Sequence, residues 1–146
     1  MGNSKFLNSI VILIVCMLIF TGCNPKEPKL ELQLKKQTIE EPFTFAKYCE
    51  NEYDSIYIIQ PYENEDLIYS LPYKMSGRLR GTCSYTLDDT FTRILFIDND
   101  TVKAYTEIPG IDAYFSTSDI VKNGPKFPFE QEFIMDKRRD VHIYNE

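Results

Sequence analysis

Glycine is scarce, with six among 146 residues, which leaves little room for a phosphate-cradling loop. A single His excludes any metal site built on a His pair. Basic residues are the minority, 16 Lys+Arg against 22 Asp+Glu. The resulting net charge of -6 argues against a general nucleic-acid binder, which carries a basic face. The four Cys form no Cys-x-x-Cys pair, so a redox-catalytic motif is missing. Tryptophan is absent, and ten Tyr and ten Phe carry the aromatic load. No apolar run approaches the ~20 residues of a membrane-spanning helix. The length supports one domain.

The longest apolar run is Ile10 to Phe20, 11 residues, preceded by one charge, Lys5. A signal-peptide core needs roughly 7–15 such residues. The run ends in Phe20-Thr21-Gly22-Cys23, two small residues before a Cys, which resembles a bacterial lipobox. The expectation is a lipoprotein signal peptide over residues 1–22, cut between Gly22 and Cys23, with a diacylglycerol on the Cys23 sulfur. Small residues suit a peptide that must thread a narrow protease site. Cys16 is a poor rival acceptor because Val15 precedes it. An uncleaved signal anchor is the alternative. Cleavage removes one basic residue, Lys5, and no acidic one, so 15 basic and 22 acidic groups remain, a formal net of -7. At about 0.8 kcal/mol per buried CH₂, two or three acyl chains hold such a protein on a membrane. The expected location is a bacterial membrane with the domain outside the cytoplasm. Asn24, where Asp would retain the protein inside, points to the outer membrane in a cell with two membranes.

Residues 23–42 read as a lipidated N-terminus and tether, with Pro25 and Pro28, several charges and no aromatic. Leu30, Leu32 and Leu34 alternate with polar residues, so part of it could form a short strand. Residues 43–146 read as one globular α+β domain, two short helices packed on a mostly antiparallel sheet of about six strands. A helix is expected over residues 44–52, with Phe45, Ala46, Cys49 and Tyr53 near one face. Ser55-Ile-Tyr-Ile-Ile59 is too continuously apolar for an edge and should be an interior strand covered on both faces. Asn64 can cap a helix carrying Leu67, Ile68 and Leu71, stopped by Pro72. Leu79, Gly81, Cys83, Tyr85 and Leu87 alternate with polar residues as a half-buried strand. Asp98-Asn99-Asp100 sits between two apolar runs as a hairpin turn, and Pro109 occupies the position where a calcium loop would need Glu. A second hairpin, residues 127–135 and 141–144, carries a charged tip at residues 136–140.

After export, Cys49 and Cys83 remain, both pointing inward on this reading. An oxidising compartment and an even count suggest a disulfide between them, stapling helix to sheet. Two buried free thiols are the alternative. His142 alternates with Val141 and Ile143 and should lie on the solvent side. No Gly-x-Ser-x-Gly or paired-carboxylate motif singles out a catalytic residue, so none is assigned, and no metal or cofactor is implied. Lys137, Arg138 and Arg139 form a basic cluster that could meet an anionic headgroup or acidic partner, or simply be a solvated turn. Tyr62 and Tyr73, each after a Pro, could present an interaction surface or line the core.

Tyr53-Asp54-Ser-Ile-Tyr-Ile-Ile-Gln-Pro61-Tyr62, followed by Arg93-Ile-Leu-Phe-Ile-Asp-Asn-Asp-Thr-Val-Lys-Ala-Tyr105, resembles a group of small bacterial lipoproteins with no established activity. That group commonly has Trp where Tyr53 stands, and the resemblance spans about residues 43–115. It implies an exported lipoprotein with one compact domain, and no catalytic residue. The expected function is therefore a non-enzymatic binding or interaction lipoprotein of the cell envelope, for instance an inhibitor or immunity-type protein. Its partners would be the membrane, through the anchor, and an envelope or secreted protein, with no nucleic acid. The alternatives are an envelope hydrolase using carboxylates such as Asp54, Glu107 or Asp112, and a structural accessory of an envelope complex.

Overall fold

Ile56, Tyr57, Ile58 and Ile59 are β-branched or aromatic, and they form strand β2, Ser55–Ile59, in which all five residues are buried. The computed structural model describes residues 29–61, 63, 65–84 and 90–144. Strand β2 pairs antiparallel with β3 (Phe91–Asp98) on one side and β6 (Lys126–Pro128) on the other. Strand β4 (Thr101–Pro109) adds to β3, so the first sheet runs β4-β3-β2-β6. The turn between β3 and β4 places Asn99 and Asp100 at φ of 49° and 55°. Two successive left-handed residues match the twist of the flanking strands, which is why Asp98-Asn99-Asp100 is a hairpin turn. Pairing then shifts, with Ile97 opposite Val102 and Phe96 opposite Ala104. The extra residue, Lys103, is a bulge that sends Val102 to the opposite face of the sheet from Ala104.

A second sheet is assembled from short pieces: β1 (Pro42–Phe43), β5 (Tyr114–Phe115), β7 (Phe133–Met135) and β8 (Asp140–Ile143). Its order is β1-β7-β8-β5, antiparallel except that β5 joins β8 in parallel. Among the described residues there are also three short helices, α1 (Glu65–Ser70), α2 (Gly77–Ser84) and α3 (Thr117–Asn123). Gly124 ends α3 at φ 82°, its N–H reaching Ile120 O at 2.8 Å.

The α+β class and the antiparallel bias are as expected. Among the described residues the strands number eight in two sheets rather than about six in one, and there are three helices rather than two. Strands of two to four residues are too short to show a period of two, so the second sheet left no pattern to read. The expected helix over residues 44–52 reduces to one 3-10 turn, Phe45–Tyr48.

The clearest correction is α2, which stands where alternation predicted a strand. Ser76 Oγ accepts the Leu79 N–H at 3.1 Å and Ser76 O accepts the Arg80 N–H at 3.1 Å, a helix start with its cap. Arg80 then reaches back, its guanidinium donating to Ile68 O at 3.2 Å in the last turn of α1 and to Tyr73 O at 3.0 Å in the connection that follows. Leu79 alone among Arg78, Leu79, Arg80 and Gly81 is buried, so one apolar side chain suffices to face the core. Tyr85 and Leu87 lie outside the described residues, as does Asn64.

Two cores result. The first lies between the sheets and gathers Ile56, Ile58, Ile94, Phe96, Phe115, Phe133 and Val141 around Phe45. The Phe45 ring meets Phe133 edge-on at 5.4 Å and stacks on Phe115 at 6.2 Å. The second lies on the other face of the first sheet, where Tyr57, Ile59, Leu95 and Ile97 meet Ile68 and Leu71 from the α1 region and Leu79 of α2.

Candidate functional site

Residues 29–41, expected as a spacer, pack onto the domain and build a polar groove on it. Leu30 donates its N–H to Tyr105 O at 2.7 Å and accepts from Thr106 Oγ1 at 2.8 Å, so this strap lies along the free edge of β4. Leu34 is buried in the first core because Leu30, Leu32 and Leu34 need an apolar surface and the sandwich supplies one. Arg139 fastens the strap, donating from Nη2 to Leu34 O at 3.0 Å and from Nε to Asp112 O at 2.5 Å. Buried Gln37 fastens it again, donating to Thr38 O and Glu41 O at 3.2 Å each. Its Oε1 accepts from the Tyr48 hydroxyl, and from Lys47 Nζ at 3.4 Å.

Between the strap and the end of β4 lies a groove of about 410 Å³, lined by Lys29, Glu31, Gln33, Lys35, Lys36, Glu107 and Asp112 with Leu30, Leu32 and Pro109. A smaller hollow of about 330 Å³ on the other side of the strap shares Glu31, Gln33 and Lys36. Such a lining suits charged or polar groups of a ligand, and it lacks the apolar walls of a typical small-molecule pocket.

Glu107 is the electrostatic centre of the groove. Its Oε2 lies 2.5 Å from Lys29 Nζ and its Oε1 3.2 Å from Arg93 Nε. Burial pushes the Glu107 carboxyl upward, but the Lys29 hydrogen bond and the charges of Lys29 and Arg93 outweigh it and hold its pKa below the ordinary carboxylate value. The Glu107 hydrogen bond in turn raises the Lys29 ammonium above its usual value, against a smaller lowering by burial. Arg93 is 2% exposed, and its Nη2 has no hydrogen-bond partner among the described residues. Burying a guanidinium with one nitrogen unsatisfied is tolerable because Glu107 compensates the charge.

Of the three carboxylates considered for catalysis, Glu107 and Asp112 meet in this groove. Asp54 lies elsewhere, its Oδ2 accepting the Asn99 N–H at 2.8 Å and holding the β3–β4 turn. The basic cluster is divided. Arg139 is spent on the strap, Lys137 is exposed with Glu40 at 3.6 Å, and Arg138 is exposed on the turn. Tyr73 lines the second core, edge-on to Tyr57 at 5.9 Å with Lys126 Nζ 5.4 Å from its ring centre. Tyr62, Gly22 and Cys23 lie outside the described residues.

Cys49 is half-buried against the first core, and burial pushes its thiol pKa up to about 11. Cys83 belongs to α2, whose Leu79 packs in the second core. His142 is partly exposed as expected, but it is flanked: Nδ1 faces Asp119 Oδ2 at 3.4 Å and Nε2 faces Asp136 Oδ2 at 3.8 Å.

Sequence reasoning passed over Lys29, Arg93 and Asp119. Arg93 had a readable signal, since it is the one charge inside the apolar run of β3. Asp119 had another, a Ser three residues earlier and the acidic first turn of a helix. Lys29 had none, because only the folded edge of β4 brings Glu107 to it. Comparison with family models, with curated proteins and with solved structures finds no match for this chain.

Proposed function

We propose that this is a lipid-anchored protein of the bacterial envelope whose folded domain is a non-enzymatic binding module. The single observation that supports the binding reading is the geometry of Glu107, whose two carboxylate oxygens are taken by Lys29 Nζ at 2.5 Å and Arg93 Nε at 3.2 Å. The groove thus offers fixed charges of both signs, suited to a polar segment of a partner protein. The anchor rests on the apolar run before Thr21-Gly22-Cys23 and on the likeness to small bacterial lipoproteins. Lys29, the first described residue of the strap, follows Cys23 by six positions, so the chain between them can span roughly 20 Å at most. The domain would ride close to its membrane, facing outward.

Within that class, an inhibitor or immunity-type protein neutralising a basic secreted enzyme suits the net charge of -7 after cleavage, which favours association with a cationic surface. Labelled palmitate should enter the full chain in a bacterial host and be lost in Cys23→Ser. Labelling that persists in the variant rejects the anchor. Separately, immobilised full chain should retain a cationic envelope protein at low salt and release it as salt rises. Absence of binding at low salt rejects the partner.

The second reading, a carboxylate-based hydrolase, is favoured by the meeting of Glu107 and Asp112 in one groove. It requires hydrolysis of an envelope polymer that disappears in Asp112→Asn while the fold is retained.

A further inference from the structure

Away from the groove, three elements converge on the one imidazole of the chain. Asp140 and His142 are two residues apart on β8 and share a face of the strand, while Val141 between them enters the first core. Asp136 directly follows β7, and the turn that joins the strands brings it back over β8, with Arg139 at φ 69°. Asp136 Oδ1 accepts the N–H groups of Arg138 at 2.8 Å and Asp140 at 2.9 Å. The carboxylate is thereby oriented, with Oδ2 towards His142.

Asp136, Asp140 and His142 each offer a ligand atom within 4.8 Å of the other two. The gap of 3.8 Å between His142 Nε2 and Asp136 Oδ2 is too long for a hydrogen bond. It is close to the spacing of two ligands that each stand ~2.1 Å from one cation. The fourth residue decides the chemistry. Asp119, on α3, faces the other ring nitrogen at 3.4 Å, and its Oδ2 is itself held by the Ile143 N–H at 3.2 Å. A carboxylate at Nδ1 favours the proton there and leaves the Nε2 lone pair free towards Asp136, the arrangement that orients a metal-bound imidazole from behind.

We propose that Asp136, Asp140 and His142 form a binding site for a divalent first-row transition cation such as Zn²⁺, with Asp119 as the positioning residue for the imidazole. One nitrogen and carboxylate oxygens suit zinc, manganese or iron(II) better than calcium or magnesium, which prefer oxygen alone. The partial exposure of His142 and Asp136 leaves coordination positions to water or to a ligand atom of a partner.

The test uses untagged full chain in detergent, stripped with a chelator. One equivalent of Zn²⁺ should bind by calorimetry, and the resonances of the single His should shift with the same stoichiometry. Asp119→Asn should bind ~10–100-fold more weakly with unchanged stoichiometry. His142→Ala should lose at least the same factor while melting normally without metal. Binding that persists in His142→Ala, or a His signal unmoved by bound zinc, places the metal elsewhere, on the thiols for instance, and overturns the proposal. Should His142→Ala fail to fold, the His resonance of the parent chain decides alone. No binding at all equally overturns it.

Discussion

One face of the β4-β3-β2-β6 sheet meets a second sheet through phenylalanine rings, while the other meets two short helices and carries a buried guanidinium. The first interface is assembled from residues far apart in the chain, Phe45, Phe96, Phe115 and Phe133. The second is assembled largely from α1, α2 and their connection, close in sequence to one another. Apolar packing tolerates distant origins because it needs only shape and area. The charged position, Arg93, needs a specific partner across the β3–β4 pair, and Glu107 stands opposite it in register. The comparison teaches that burial on this sheet is supported by packing on one side and by packing plus one ion pair on the other.

That contrast can be broken by mutation. Phe45→Ala should cost about 3–5 kcal/mol, most of the stability of an ordinary domain, because four rings surround the void and cannot all collapse into it. Leu79→Ala should cost about 2–3 kcal/mol, since a short helix can settle inward. Urea unfolding of both variants measures the difference, and equal losses would remove the distinction between the faces.

The ion pair sharpens it further. Glu107→Gln should destabilise by about 1.5–3 kcal/mol, because Arg93 stays buried without its counter-charge. Lys29→Met, on the solvent side of the same carboxylate, should cost below about 1 kcal/mol. The signs with pH follow. The folded pKa of Glu107 is depressed, so its contribution is complete above the unfolded value near 4.5 and is lost as pH falls through the folded one. The Lys29 value is raised, so its contribution is complete below about 10.5 and fades as pH rises through the folded value. Melting temperatures against pH should show the acid loss in the parent chain and a smaller one in Glu107→Gln.

The smallest effect is chemical. With its pKa pushed up to about 11, the Cys49 thiol should alkylate on the order of 100-fold more slowly at pH 8 than a free cysteine. Alkylation in urea without reductant, read by mass, tests the expected Cys49–Cys83 disulfide: a joined pair takes up no label there, and two alkylatable thiols reject it.

Legibility followed length and locality. Ser55–Ile59 could be read as an interior strand because five consecutive apolar or small residues exceed what an edge tolerates. The β3–β4 hairpin could be read because its turn is Asp-Asn-Asp between two long apolar runs. The bulge at Lys103, which sends Val102 to the opposite face from Ala104, left no such local signal. Strand β1 and strand β5, two residues each, had no period to detect. Residues 78–83 alternated well enough for a strand, yet the Ser76 cap and the reach of Arg80 to α1 made the helix the better use of the same residues. In the groove, Glu107 and Asp112 were visible as candidates, whereas the strap that makes them a site was read as spacer.

What the residues determine by themselves is local: which runs are apolar enough to be buried and where the chain must turn. What only the tertiary structure decides is which distant groups share a few ångströms, Lys29 with Glu107 and Asp119 with His142. Hydrophobic pattern and turn chemistry act over one to four positions and leave a trace in the order of residues. Electrostatic pairing acts through space, across 78 positions for Lys29 and Glu107, and leaves none until the sheets close.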